Sequence, residues 1–332
     1  MSGQGAAVAG SAPTALHLFL QAVQDAPDQL ALVCQDQRIS YRQYGNAVFN
    51  LAARFAPLTP GQRIATLLGN SVEMACVWLA AQLAGAQLAP LNPLYTAHEL
   101  GFILRDADPQ LVVHQPGLDA TVLQAISEIA PTAAYCLDLA ETLRQCAVPG
   151  APPDTLPAPH DLALLQYTGG TSGKPKGVNL THGAVANNIA QREERLPTHA
   201  RDERVLAVTP LYHSYASTMG LYLAINCQGA LVIAPRFDPA TVLEQIAAER
   251  ITIFCGSPTI FNALLAHPDF DNTDFSSLRW CSSGSAALPE DTLRRWEDKT
   301  GCAICEGYGQ TEAGPVLTYN PVRGIRKAGT VG

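Results

Sequence analysis

Charge is scarce in this chain: Asp, Glu, Lys and Arg make up 15% of its 332 residues, against 47% hydrophobic residues. Such a composition excludes a disordered chain and leaves ample apolar material for a core with buried sheets. Basic residues are in deficit, 21 Lys and Arg against 29 Asp and Glu, for a net charge of −8. That balance argues against a broad nucleic-acid or anionic-membrane surface, so any phosphate must be held by local donors. A long apolar run is also missing. The least polar stretch, Met219 to Ala234, is broken by Asn226, Gln228 and Gly229 and is too short to span a bilayer, so it reads as a buried helix followed by a strand. Residues 1–13 have neither a basic start nor a long apolar stretch and read as a flexible tail rather than a targeting sequence. The nine cysteines are scattered, mostly inside apolar segments, which points to free thiols in a reducing cytoplasm. Cys302 and Cys305 form a lone C-x-x-C without the second half of a zinc site, and both read as core residues. No G-x-S-x-G elbow, H-E-x-x-H pair or G-x-G-x-x-G fingerprint occurs.

What is present alternates. Arg63 to Leu68 reads as a strand, Val72 to Leu83 as an apolar helix, Leu88 to Leu91 as a strand, His98 to Arg105 as a helix and Leu111 to His114 as a strand. This is the rhythm of a parallel sheet covered on both faces. Residues 147–160, AVPGAPPDTLPAPH, are rich in proline and read as a linker. The rhythm then resumes, with strands at Leu162 to Gln166, Ile251 to Cys255, Leu278 to Ser282 and Cys302 to Glu306. Thr181 can cap a helix from His182 to about Arg192, and Asp238 with Pro239 opens another with Val242, Leu243, Ile246 and Ala247 on one face. The expected fold is α/β, with two doubly wound, mainly parallel sheets and covering helices. The expected division is a first subdomain over 14–157 and a second over 158–332.

Four of the strands run into small-residue segments: Thr168 to Gly173, Gly256 to Pro258, Ser283 to Ala287 and Gly307 to Glu312. Ligands of doubly wound sheets bind at the carboxyl ends of strands, so these segments should line one edge of one crevice. The first is the most telling. YTGGTSGKPKGV, Tyr167 to Val178, gathers Thr168, Thr171 and Ser172, glycines 169, 170 and 173, and Lys174 and Lys176 into one short loop. Glycines bring backbone N–H groups close to an anion, hydroxyls add donors, and lysine adds a point charge. The common P-loop is excluded, because the glycine spacing is one residue too short and Pro175 stands where a Ser or Thr would hold magnesium.

This loop resembles the phosphate-binding signature of the adenylate-forming enzymes. PLYHSYA (Pro210 to Ala216), SGSAALP (Ser283 to Pro289), EGYGQTEAGPV (Glu306 to Val316) and RKAGTVG (Arg326 to Gly332) follow in family order. The resemblance implies that ATP activates a carboxylic acid as acyl-AMP and that a thiol, CoA, takes the acyl group. It implies that Thr168, Gly169, Gly170, Thr171, Ser172, Gly173 and Lys176 hold the β- and γ-phosphates. Glu312 would be the magnesium-linked carboxylate, a hard ligand for a hard cation, and Thr311 would donate to the α-phosphate. Tyr308 would cover the adenine, with Glu306, Gly307 and Gly309 near it and Gly284, Ser285 and Ala286 on the nucleotide side. His213 would sit where acid and adenylate join. Lys176, His213, Thr311 and Glu312 are thus the catalytic candidates.

Peptide-synthetase adenylation domains carry an aspartate near His213 for the substrate ammonium; Tyr212 to Tyr215 offer none, which disfavours an α-amino acid. The pocket candidates His213, Ser214, Met219, Gly220, Gly256, Ser257 and Gly284 are mostly small or apolar and suit a hydrophobic acid. Pro258 to Trp280 is similar to the medium- and long-chain fatty acyl-CoA synthetases, and TEAGPVL is also similar to the coumarate-type aryl ligases. The expected function is a cytoplasmic fatty acid–CoA ligase. An aryl-CoA ligase, an acyl-AMP ligase serving a carrier protein, and a non-catalytic nucleotide-binding module needing a partner chain remain open alternatives. By the family pattern, the end of a barrel subdomain and a C-terminal domain would follow Gly332; AGTVG resembles the start of a further strand.

Overall fold

The computed structural model describes residues 12–57, 61–129, 134–169 and 175–332. The tail expectation therefore lies, except for Ala12 and Pro13, outside the described residues. Fourteen strands follow in chain order among these residues: β1 (Leu30–Cys34), β2 (Gln37–Ser40), β3 (Arg63–Leu67), β4 (Gln87–Leu91), β5 (Leu111–His114), β6 (Ala134–Cys136), β7 (Leu162–Thr168), β8 (Lys176–Thr181), β9 (Arg204–Ala207), β10 (Ala230–Ile233), β11 (Ile253–Gly256), β12 (Trp280–Ser283), β13 (Ile304–Gly309) and β14 (Val316–Tyr319). They form two sheets, one of six strands in the order β6-β5-β3-β4-β7-β8 and one of eight in the order β14-β13-β12-β11-β9-β10-β1-β2. Pairing is parallel through the middle of both, and antiparallel at the edge pairs β7–β8 and β13–β14. The expectation of two mainly parallel α/β sheets is borne out.

The first unit comprises residues 12–28 and 39–186. Its central strand β4 is buried along its whole length, as a strand covered on both faces must be. Ser40 and Thr96 start the helices Tyr41–Phe55 and Ala97–Ala107 with capping boxes closed by Gln43 and Glu99. Helix Val72–Leu83 is buried almost all round, so its sequence shows no polar face to read.

The second unit comprises residues 29–38 and 187–332. Its core is more aromatic. Trp296 packs against Phe261 at 4.9 Å, Phe270 at 5.6 Å, Phe275 at 5.7 Å and Phe254 at 6.1 Å between ring centroids. Cys302 and Cys305 are buried, as expected of core residues.

The structure divides the chain elsewhere than the expected 157/158. The proline-rich segment is irregular, but β7 and β8 beyond it complete the sheet of the first unit. Leu88 pairs with Leu164, and Gln87 Nε2 donates to the Leu164 carbonyl (2.9 Å) and to Asn179 Oδ1 (2.7 Å). The division falls between residues 186 and 187, inside helix His182–Arg195. Conversely, β1 leaves the N-terminal region to pair with β10. Residues 328–332 are turn and irregular chain rather than a strand.

Candidate functional site

The expected sites fall on both units. In the first unit, β7 and β8 form an antiparallel hairpin whose last pair is Thr168 with Lys176. The glycine-rich segment is thus a hairpin connection, not the strand-to-helix turn of a P-loop. Tyr167 anchors its base, its hydroxyl donating to Asp106 Oδ2 at 2.6 Å. Opposite Tyr167, Gly177 leaves room that a Cβ would lose, since it would lie 2.8 Å from Leu165 Cδ1. Gly169 and Lys176 are exposed, and Gly169 has open space where a Cβ would be. Gly170, Thr171, Ser172, Gly173 and Lys174 lie outside the described residues. The sheet argument that joined four small-residue segments holds for three of them, because β7 belongs to the other sheet.

Those three follow β11, β12 and β13, which are neighbours in the eight-stranded sheet. The chain leaves β9 for β10 on one side and returns to β11 on the other, so β9 and β11 flank a switch point. A groove of about 140 Å³ opens there, lined by Ser214 and Tyr215 after β9, Gly284 and Ser285 after β12, Gly307 to Thr311, and Pro315, Val316 and Tyr319. Ser214 Oγ and Thr311 Oγ1 are 3.0 Å apart, a pair of hydroxyls at one wall. Tyr308 is 51% exposed, an unusual state for so large a ring at a strand end and one suited to stacking on a planar ligand. Ser285 adopts φ +70°, a strained left-handed conformation for a residue with a side chain.

Glycines shape this groove. A Cβ on Gly284 would lie 2.7 Å from the Tyr215 ring, one on Gly307 2.6 Å from the Tyr319 ring, and one on Gly309 2.3 Å from the Pro315 carbonyl oxygen. Tyr215 donates to the carbonyls of Ser282 (3.2 Å) or Gly256 (3.3 Å), and burial pushes its hydroxyl well above the ordinary tyrosine pKa. Tyr319 donates to Met219 Sδ at 2.8 Å, and burial raises its pKa too. Both remain neutral donors.

The other expected residues separate into those at the groove and those elsewhere. Glu312 is exposed on the turn Thr311–Ala313. His213 is not among the lining residues; it caps the short helix Ser214–Ala216, tilted against Tyr212 at 4.7 Å. Its ring is reachable by solvent, yet the surrounding protein displaces enough water to lower its pKa. Glu306 is buried and accepts from the Leu288 N–H at 2.7 Å, which gives its carboxylate a structural partner. Ala286 is exposed beside Ser285, and Ser257 precedes helix Pro258–Leu265. Gly256 faces Ile260, and Gly220 faces Ala207 and Leu231 at ordinary contact distance. Gly220 therefore serves core packing in a π-helical turn, Ser217–Leu221, which also buries Met219. Tyr215, Gln310, Pro315, Val316 and Tyr319 also line the groove and were not among the expected site residues.

The eight-stranded sheet with a groove at its switch point defines an α/β protein of the doubly wound class, in which ligands bind at the carboxyl ends of the strands. Residues 19–332 match the family described as AMP-binding enzyme, and the chain belongs to that family. It is 31% identical over 352 aligned positions to the long-chain-fatty-acid–CoA ligase of Bacillus subtilis (strain 168), covering 92% of this chain and 61% of that protein. It is 34% identical over 298 positions to the feruloyl-CoA synthase of an Amycolatopsis species, covering 89% and 59%. The ATP-bound crystal structure of MatB from Rhodopseudomonas palustris superposes with TM-score 0.84 at 30% identity, covering 96% of this chain and 64% of that one. The chain thus spans about three fifths of the length of these curated relatives. Among the described residues, no helix is long and apolar enough to cross a membrane.

Proposed function

We propose that this chain carries the acid-activating site of an AMP-forming acid–thiol ligase acting on a hydrophobic carboxylic acid. The acid's carboxylate attacks the α-phosphorus of ATP, pyrophosphate leaves, and the acyl-AMP reacts with the CoA thiol to give thioester, AMP and a proton. The observation that carries the reading is the groove at the strand ends, where the Ser214–Thr311 hydroxyl pair stands with the exposed Tyr308 ring. Such a reaction needs in-line positioning and charge stabilisation more than covalent help from the protein.

In this reading Tyr308 covers the adenine and Thr311 donates to the α-phosphate, while Lys176 and the hairpin glycines and hydroxyls bind the β- and γ-phosphates. His213, largely neutral at pH 7, donates or accepts a hydrogen bond near the acid without a competing positive charge. Glu312, an exposed carboxylate on the turn Thr311–Ala313, would hold the magnesium ion of Mg-ATP, a hard ligand for a hard cation. That ion would neutralise charge on the phosphates. The apolar Val316 and Pro315 suit a hydrophobic acid, and the fatty-acid and feruloyl names of the relatives agree with that class.

Calorimetric titration with Mg-ATP tests the assignment. Lys176→Ala and Glu312→Ala should each weaken binding about tenfold, the ~1.4 kcal/mol expected of one charge-assisted contact, with the melting temperature unchanged. Unaltered affinity in both variants would sink it. Trapping acyl-AMP with hydroxylamine then reports whether the chain completes the first half-reaction.

A further inference from the structure

The groove has a floor, and two tyrosines make it. Gly307 and Tyr319 are a cross-strand pair of the β13–β14 hairpin, and the Tyr319 ring lies over the bare Gly307 Cα. From there its hydroxyl reaches across to Met219 Sδ at 2.8 Å, on the π-helical turn after β9. Tyr215 lies over the bare Gly284 Cα in the same manner and is tied to the ends of β11 and β12 through Gly256 and Ser282. Each glycine thus admits one ring, and each ring is held at its hydroxyl. Behind them Met219 is fully buried, and Gly220 already faces Ala207 and Leu231.

The space left is about 140 Å³. A cavity of roughly 150 Å³ takes a molecule the size of benzene, and sites for larger ligands run to roughly 300–1,000 Å³. Part of this groove is also the wall that Tyr308 offers to a planar ring. Three larger cavities elsewhere in the chain share no lining residue with it.

We infer that Tyr319 and Tyr215 limit the acid to a compact body, a single ring or a short chain, and exclude a long aliphatic chain. The inference rests on the acid-activating reading and names the substrate class of that site. Tyr319 is a specificity-determining residue here. It sets the depth of the groove without touching the reacting atoms.

Binding of unreactive acyl-adenylate mimics to the intact chain tests this independently of turnover. The probes are 5′-sulfamoyladenosine itself and its benzoyl, hexanoyl and dodecanoyl derivatives, measured by calorimetry. The benzoyl and hexanoyl forms should bind at least about tenfold tighter than the dodecanoyl form, since a floor that stops the longer chain leaves its far methylenes without apolar contacts. Tyr319→Ala should narrow that ratio, and Tyr319→Phe, which keeps the ring and loses the Met219 bond, should preserve most of it. Dodecanoyl binding as tight as the short forms in the unaltered chain overturns the inference while leaving the nucleotide site intact. If no probe binds, including the unacylated one, the acid-activating reading itself falls. Should Tyr319→Ala fail to fold, the unaltered chain and Tyr319→Phe still decide the matter.

Discussion

Two glycine-rich segments lie at strand ends in this chain, and their glycines are there for opposite reasons. At the β7–β8 hairpin, Gly169 is exposed and a side chain there would meet nothing. In the proposed function, its use would be an uncovered backbone that an anion can approach. At the groove, Gly284, Gly307 and Gly309 are pressed by Tyr215, Tyr319 and Pro315, and a Cβ on any of them would overlap its neighbour. Those glycines make space for the protein's own atoms. In the sequence, the glycines of GG and GYG look alike, yet Gly169 has open space where a Cβ would be whereas Gly307 and Gly309 are pressed by the protein's own atoms.

The comparison breaks most sharply at Gly309. Gly309→Ala places a methyl against a backbone oxygen, which cannot swing aside, and should cost about 3 kcal/mol or more, the upper end of overpacking. Gly307→Ala and Gly284→Ala, whose nearest neighbours are side-chain rings rather than backbone, should cost less in the same thermal-denaturation series. A ranking with Gly309→Ala the mildest would contradict this account.

Acid should separate the two regions next. His182 begins the helix after the hairpin and is buried, which lowers its pKa to about 4 although Asp161 works against the shift. The folded state keeps it neutral while the unfolded chain binds a proton below about pH 6.5, so stability falls as the pH drops from there towards 4. The full loss is about 3 kcal/mol for a shift of this size. Tyr215 and Tyr319, whose hydroxyls are shifted upward by desolvation, do not titrate in that range. Hydrogen exchange at pH 5 should therefore quicken around residues 176–186 before it does around 304–319, and His182→Gln should remove the difference. The smallest effect belongs to Gly169→Ala, which should alter stability by less than about 0.5 kcal/mol. A large loss there would mean the hairpin loop is packed after all.

Much of this arrangement was legible beforehand. The strand at 63–67, the helix at 72–83 and the strand at 111–114 fall where their apolar runs and turn residues placed them. Thr181 does accept from the Ala184 N–H at the head of its helix. Six strands, β1, β2, β6, β8, β9 and β14, were not read in the sequence. β8, KGVNLT, is mostly exposed and carries Gly and Asn, which have little preference for strands. It exists because β7 offers it a partner. Missing it moved the expected boundary to the proline-rich segment, where composition changes but the sheet does not end. Among the candidate site residues, Thr311, Tyr308 and Ser214 line one groove, whereas Gly220 turns into the core and Glu306 serves the Leu288 amide.

The sequence by itself determined the class of fold, the order of the phosphate- and nucleotide-type segments and the family, because these depend on residue type and spacing along one chain. The depth of the groove was decided only in three dimensions. Tyr319 becomes its floor by pairing across a hairpin with Gly307 and bonding to Met219, a hundred residues away in the chain. No local pattern records such a contact, since it arises from two separate elements meeting at one sheet edge.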